Sequence, residues 1–205
     1  MNRIIIVFLI FTSIFGCKKN VECEINQLII KSNDSIISKI KYDSSGQKWW
    51  NDYLTKLEEP DLKNTNIESY RLLIYNSMTQ SSKTYRIFKN RHSYKLVFKE
   101  FGNEDSDEIA NELIINKTTE LSNKEWIEFQ KLLQDSRFWS LPVKIDRIGL
   151  DGTSWVLEGM NPNGNECTNR KYHMVIRWQP IDTMKVMDIN YKLIELTGNK
   201  NVLQQ

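Results

Sequence analysis

Glu158, His173 and Arg177 are the residues whose types and spacing could do chemistry in this chain. Two strands, about 153–159 and 171–178, flank the turn sequence Asn161-Pro162-Asn163-Gly164-Asn165. Side chains alternate along each strand, so Glu158 shares a face with Ser154 and Val156, and His173 with Val175 and Arg177. If those two faces meet across a hairpin, Trp155, Leu157, Tyr172, Met174, Ile176 and Trp178 are left to line a core. A carboxylate, an imidazole and a guanidinium brought together could bind an anionic or polar ligand, or carry out general acid–base work. A plain Glu158–Arg177 ion pair across the sheet, with His173 beside it, uses the same residues without a ligand. Asp151 is equally two-sided: it could join that site, or Asp151-Gly152 could simply make a tight turn into a strand.

Other catalytic templates fail. No Gly-x-Ser-x-Gly elbow, no His-Glu-x-x-His and no glycine-rich phosphate loop occurs. His92 and His173 stand far apart, and no close cysteine or histidine pair offers zinc ligands, so neither a metal nor another cofactor is expected. The acidic run Glu104-Asp105-Ser106-Asp107-Glu108 lacks the glycine and ligand spacing of a calcium loop and suits a solvated turn. Cys23 and Cys167 could form a disulfide in an oxidising compartment, or remain two unrelated thiols.

The third cysteine carries the clearest signal. Asn2-Arg3 gives a short positive start, an apolar run follows from Ile4 to Phe15, and the run ends at Gly16-Cys17. The run is shorter than the roughly 20 residues needed to span a bilayer, so it has the form of a signal peptide. Ile14-Phe15-Gly16-Cys17 resembles the lipobox of bacterial lipoproteins. The resemblance implies cleavage before Cys17 and lipidation of its thiol, with acyl chains such as palmitate as the membrane anchor. Each buried methylene of such a chain contributes about 0.8 kcal/mol. Lys18-Lys19 follows with no Asp at the second mature position, which within that family leans toward the outer membrane, facing the periplasm or the cell surface.

Removing residues 1–16 leaves a chain long enough for one domain with a real core. The formal net charge is +2, and no basic block marks a nucleic-acid footprint. Residues 17–44 have the character of a lipidated cysteine and tether, 45–198 of a single domain and 199–205 of a frayed tail.

The elements that must position these residues form an α+β set. A helix over about 45–58 carries Trp49, Trp50, Tyr53, Leu54 and Leu57 on one stripe and stops at Pro60. Strands are expected over 70–75, 83–88 and 93–98, with a fourth over 109–120. Ser122-Asn123-Lys124-Glu125 forms a capping box, and the helix it starts buries Trp126, Phe129, Leu132 and Leu133. A last helix over about 181–196 ends at Gly198. The sum is an antiparallel sheet of five to seven strands, with about three helices packed mainly on one face.

The run Phe138-Trp139, Leu141-Pro142, Gly149-Leu150-Asp151-Gly152, Trp155, Leu157-Glu158-Gly159, Tyr172-His173, Arg177-Trp178 and Pro180 is similar to a pattern in uncharacterised bacterial proteins, FW-x-LP, GLDG-x-x-W-x-LEG, YH and RW-x-P. That resemblance covers about 122–198 and implies a shared domain without an activity. With the lipobox, the expectation is a lipid-anchored envelope protein acting as a non-catalytic module for a protein, peptide or glycan. An immunity-type lipoprotein that neutralises a toxin is a narrower version, and a hydrolase using Glu158, His173 and Arg177 is the alternative.

Overall fold

The computed structural model describes residues 53–79, 81–102, 112–144, 152–164, 171–181 and 184–198. Six strands form one antiparallel sheet: β1 (Ser69–Asn76), β2 (Ser82–Asn90), β3 (Ser93–Phe101), β4 (Leu113–Leu121), β5 (Thr153–Met160) and β6 (Tyr172–Trp178). Their order is β4-β3-β2-β1-β5-β6, so β1 is interior and β4 and β6 are the edges. Among the described residues two full helices, α1 (Asn123–Asp135) and α2 (Val186–Glu195), and a helical turn over 53–56 complete an α+β architecture, with 3-10 turns at Leu62–Asn64 and Phe138–Ser140.

Each element has a local cause. Arg91 takes the left-handed conformation (φ +50°) that the two-residue turn between β2 and β3 demands. Asn76 accepts hydrogen bonds from the Met78 and Thr79 amides through Oδ1, closing the turn after β1. At the start of α1, Ser122 Oγ accepts from the Glu125 amide at 3.2 Å and Glu125 Oε2 accepts from the Ser122 amide at 2.7 Å. The Ser122 amide, and the Ser122 hydroxyl that also donates to Glu125 Oε2 at 2.7 Å, hold the Glu125 carboxyl below its ordinary range.

One face of the sheet carries the larger core. Tyr70, Leu72, Tyr85, Ile87, Leu96, Phe98, Leu157 and Val175 meet Trp126 and Phe129 of α1 and Ile189 and Leu193 of α2. The second face, with Leu73, Phe101, Val156 and Met174, is covered around Leu57 by a strap formed by residues 53–64. The strap begins with a helical turn over 53–56, the described remnant of the helix expected over 45–58. Trp49 and Trp50 lie outside the described residues.

Two sequence expectations are corrected. The last helix starts at Val186 rather than near 181, after the Met184 amide closes a turn onto the Ile181 carbonyl. The hairpin facing is also reversed. Glu158 pairs with Met174, Leu157 with Val175 and Gly159 with His173. Alternation within each strand holds, yet His173, Val175 and Arg177 share the helix-side face with Trp155 and Leu157. Glu158 lies on the strap side with Tyr172, Met174 and Ile176. Facing across a hairpin depends on the parity of the loop, here fixed where the Asn161 amide donates to the Lys171 carbonyl at 2.8 Å. Among the described residues no helix is long and apolar enough to cross a membrane.

Candidate functional site

Five charged side chains lie between the strap and the sheet. Arg71, in the interior strand, donates from Nε to Glu158 Oε2 at 2.9 Å, and its Nη2 also contacts that oxygen. Its Nη1 donates to the Pro60 carbonyl at 2.8 Å and to Glu59 Oε2 at 3.3 Å. Glu59 is shared further: Arg86 Nε donates to it at 2.8 Å, and Lys99 Nζ lies 3.4 Å from its other oxygen. Lys99 Nζ also donates to the carbonyls of Leu57 at 2.9 Å and Glu58 at 2.6 Å. Tyr172 donates to Glu158 Oε1 at 2.5 Å.

The sequence places these groups by simple rules. Tyr70-Arg71-Leu72-Leu73-Ile74-Tyr75 is a nearly apolar run, as expected of a strand covered on both faces. A cation in such a run must find partners or lose its hydration uncompensated. Burial works against the Arg71 charge, but Glu158 and then Glu59 outweigh it and hold the guanidinium above its ordinary pKa. Tyr172 is pushed well above the usual phenol range, first by burial and then by Glu158. Three cations meet two carboxylates here, and no side chain of Glu59, Arg71 or Glu158 is more than 3% exposed. The arrangement can lock a segment onto the sheet, but it leaves no carboxylate open to a substrate.

His173 and Arg177 do different work at the other edge. His173 is fully buried; its Nε2 donates to the Leu141 carbonyl at 3.0 Å, while its ring meets Phe138 edge-to-face. Arg177 donates to the carbonyls of Pro142 at 3.0 Å and Val143 at 3.3 Å. Burial pushes its pKa down to about 10. The Ile176 amide donates to the Val143 carbonyl at 2.7 Å, and Lys144 bridges Ile176 in parallel. Residues 141–144 therefore cover the edge of β6. Phe138 also packs on Gly159, where a Cβ would come within 2.6 Å of the Phe138 ring and 2.8 Å of the Tyr70 ring. Phe138, Trp139, Leu141 and Pro142 thus meet Gly159, His173 and Arg177, and these contacts are those of a docked segment.

Glu158 thus lies on the opposite face of the sheet from His173 and Arg177, and the three are not brought together. Asp151, Cys17, Cys23 and Cys167, together with the acidic run at 104–108, lie outside the described residues. Among the described residues no group of three or more His, Cys, Asp or Glu side chains could hold a metal ion. Sequence reading missed Glu59, Arg71, Arg86 and Lys99; the lone arginine inside the apolar run 70–75 was the available signal.

The other edge differs. Along β4, Ile114, Asn116, Lys117, Thr118 and Glu120 are exposed, and among the described residues β3 is its one partner strand. Comparison with known proteins finds no matching family model, no matching curated protein and no matching solved structure.

Proposed function

We propose that the chain is a lipid-anchored protein of the bacterial cell envelope whose α+β region is a non-catalytic binding module. Its anchor is the acylated Cys17, and its partner is a polypeptide that adds an extended segment along β4. The observation carrying this reading is the contrast between the two sheet edges. The β6 edge is sealed by residues 141–144, whereas the nine-residue β4 presents exposed side chains on both faces. Among the described residues no strand pairs with the outer side of β4, and such an edge offers backbone donors and acceptors in register for another strand; proteins that do not use one usually shorten, cover or charge it. Lys117 and Glu120 are its charged residues, of opposite sign, so they do not repel either class of peptide strongly. Consumption of Glu158, His173 and Arg177 in internal contacts supports binding over catalysis.

The test is photo-crosslinking in intact cells from positions 116 and 118 on β4, with exposed Lys131 on α1 as the control position. The reading expects both β4 positions to give an adduct with the same polypeptide, and position 131 to give none. Adducts only from 131, or none from β4, would overturn it.

A further inference from the structure

We propose that the strap occupies, within its own chain, a seat that also accepts an acidic, apolar segment of a second polypeptide. This goes beyond the β4 reading and rests on different observations.

The seat is complementary to one carboxylate set among apolar side chains. Arg71, Arg86 and Lys99 all converge on Glu59, while Glu158 pairs with Arg71 from the sheet side. With the strap away, three cations would face a single carboxylate, flanked by Leu73, Phe101, Val156 and Met174. Such a surface is electrostatically incomplete and would attract a replacement acid.

The seat takes the buried Leu54, Leu57 and Leu62 side chains, the Glu59 carboxylate and the carbonyls of Leu57, Glu58 and Pro60. Carbonyls are common to every peptide, so a segment that sets one acid among apolar residues at this spacing reproduces the recognition. The strap's own backbone bonds run internally, from the Leu57 amide to Tyr53 and from the Glu59 amide to Leu54.

The resident segment is held at a cost. Glu58, a non-glycine residue, takes a left-handed conformation at φ +51°, which presents its carbonyl to Lys99. On the same sheet face Thr84 is fully buried, and its Oγ1 has no hydrogen-bond partner among the described residues. The buried ions have given up hydration to pair. Backbone strain and desolvated charge in the strap joint mark a contact that can open before the rest of the sheet.

The experiment uses the full-length chain in detergent and a labelled synthetic peptide spanning residues 53–64. By fluorescence anisotropy, the peptide should bind a Glu59→Ala chain at least tenfold more tightly than wild type, because the resident strap is weakened. The same peptide carrying Glu59→Ala should lose that binding. Equal affinity for both chains, or indifference to the peptide's carboxylate, would overturn the proposal. Should the variant chain not fold, hydrogen exchange of wild type decides. Strap amides exchanging well ahead of β1 and β5 support it, and protection equal to those strands contradicts it.

Discussion

Arg71 and Glu158 stand opposite each other on β1 and β5, joined by two guanidinium contacts to one carboxylate oxygen and sealed from water on both sides. This pair ties the two halves of the sheet together and gives the strap its fixed point through Pro60 and Glu59.

Removing one member should cost far more than the pair contributes. Arg71→Ala leaves Glu158 and Glu59 buried with fewer counter-charges, at an expected cost of about 3–5 kcal/mol. The double variant Arg71→Met/Glu158→Leu should recover much of that loss, because apolar replacements spare both desolvation penalties. Urea unfolding of the two singles and the double measures the coupling; additive losses would contradict it.

Gly159 is fixed by its neighbours. Gly159→Ala would drive a methyl into the Phe138 and Tyr70 rings. A destabilisation of about 1–3 kcal/mol is expected. Adding Phe138→Leu should relieve part of it, which thermal melting of the double variant checks.

The N-cap of α1 is a smaller and separate test. Ser122→Ala removes the hydroxyl that accepts from the Glu125 amide, for a loss of about 1 kcal/mol by urea unfolding.

Alkaline pH should unfold the domain. Tyr70 and Tyr172 keep their protons beyond the ordinary phenol value of 10.0, the first through burial then Glu68, the second through burial then Glu158. Above about pH 10 the unfolded chain therefore binds fewer protons than the folded one, and stability falls as pH rises. Arg177 acts in the opposite sense, since its proton leaves the folded state first, at about 10. It is one group against four, because burial also holds the Tyr53 and Tyr85 phenols above their ordinary value. Tyrosinate absorbance should rise together with unfolding; a separate earlier step from Tyr70 and Tyr172 would contradict the assignment.

Local signals in the sequence were dependable. The capping box at Ser122 and the turn at Asn161–Gly164 each specify their own conformation within a few residues, and each forms. Contacts between distant segments were not legible. Alternation places Glu158 on one face of β5, but the loop parity that decides whether His173 faces it lies outside either strand. Glu59 reads as a surface acid after a helix, and only the arrival of β1, β2 and β3 beneath it makes it the centre of three cations. Arg71 was the exception, a charge inside an apolar run that demanded a partner without naming one.

The measurement that tests the account most directly is crosslinking from position 118, with Cys17→Ser expressed beside the otherwise unchanged chain. An anchored module that pairs along β4 predicts one adduct, lost when Cys17 is replaced although the fold persists. An adduct that survives Cys17→Ser, or no adduct in either chain, would contradict it.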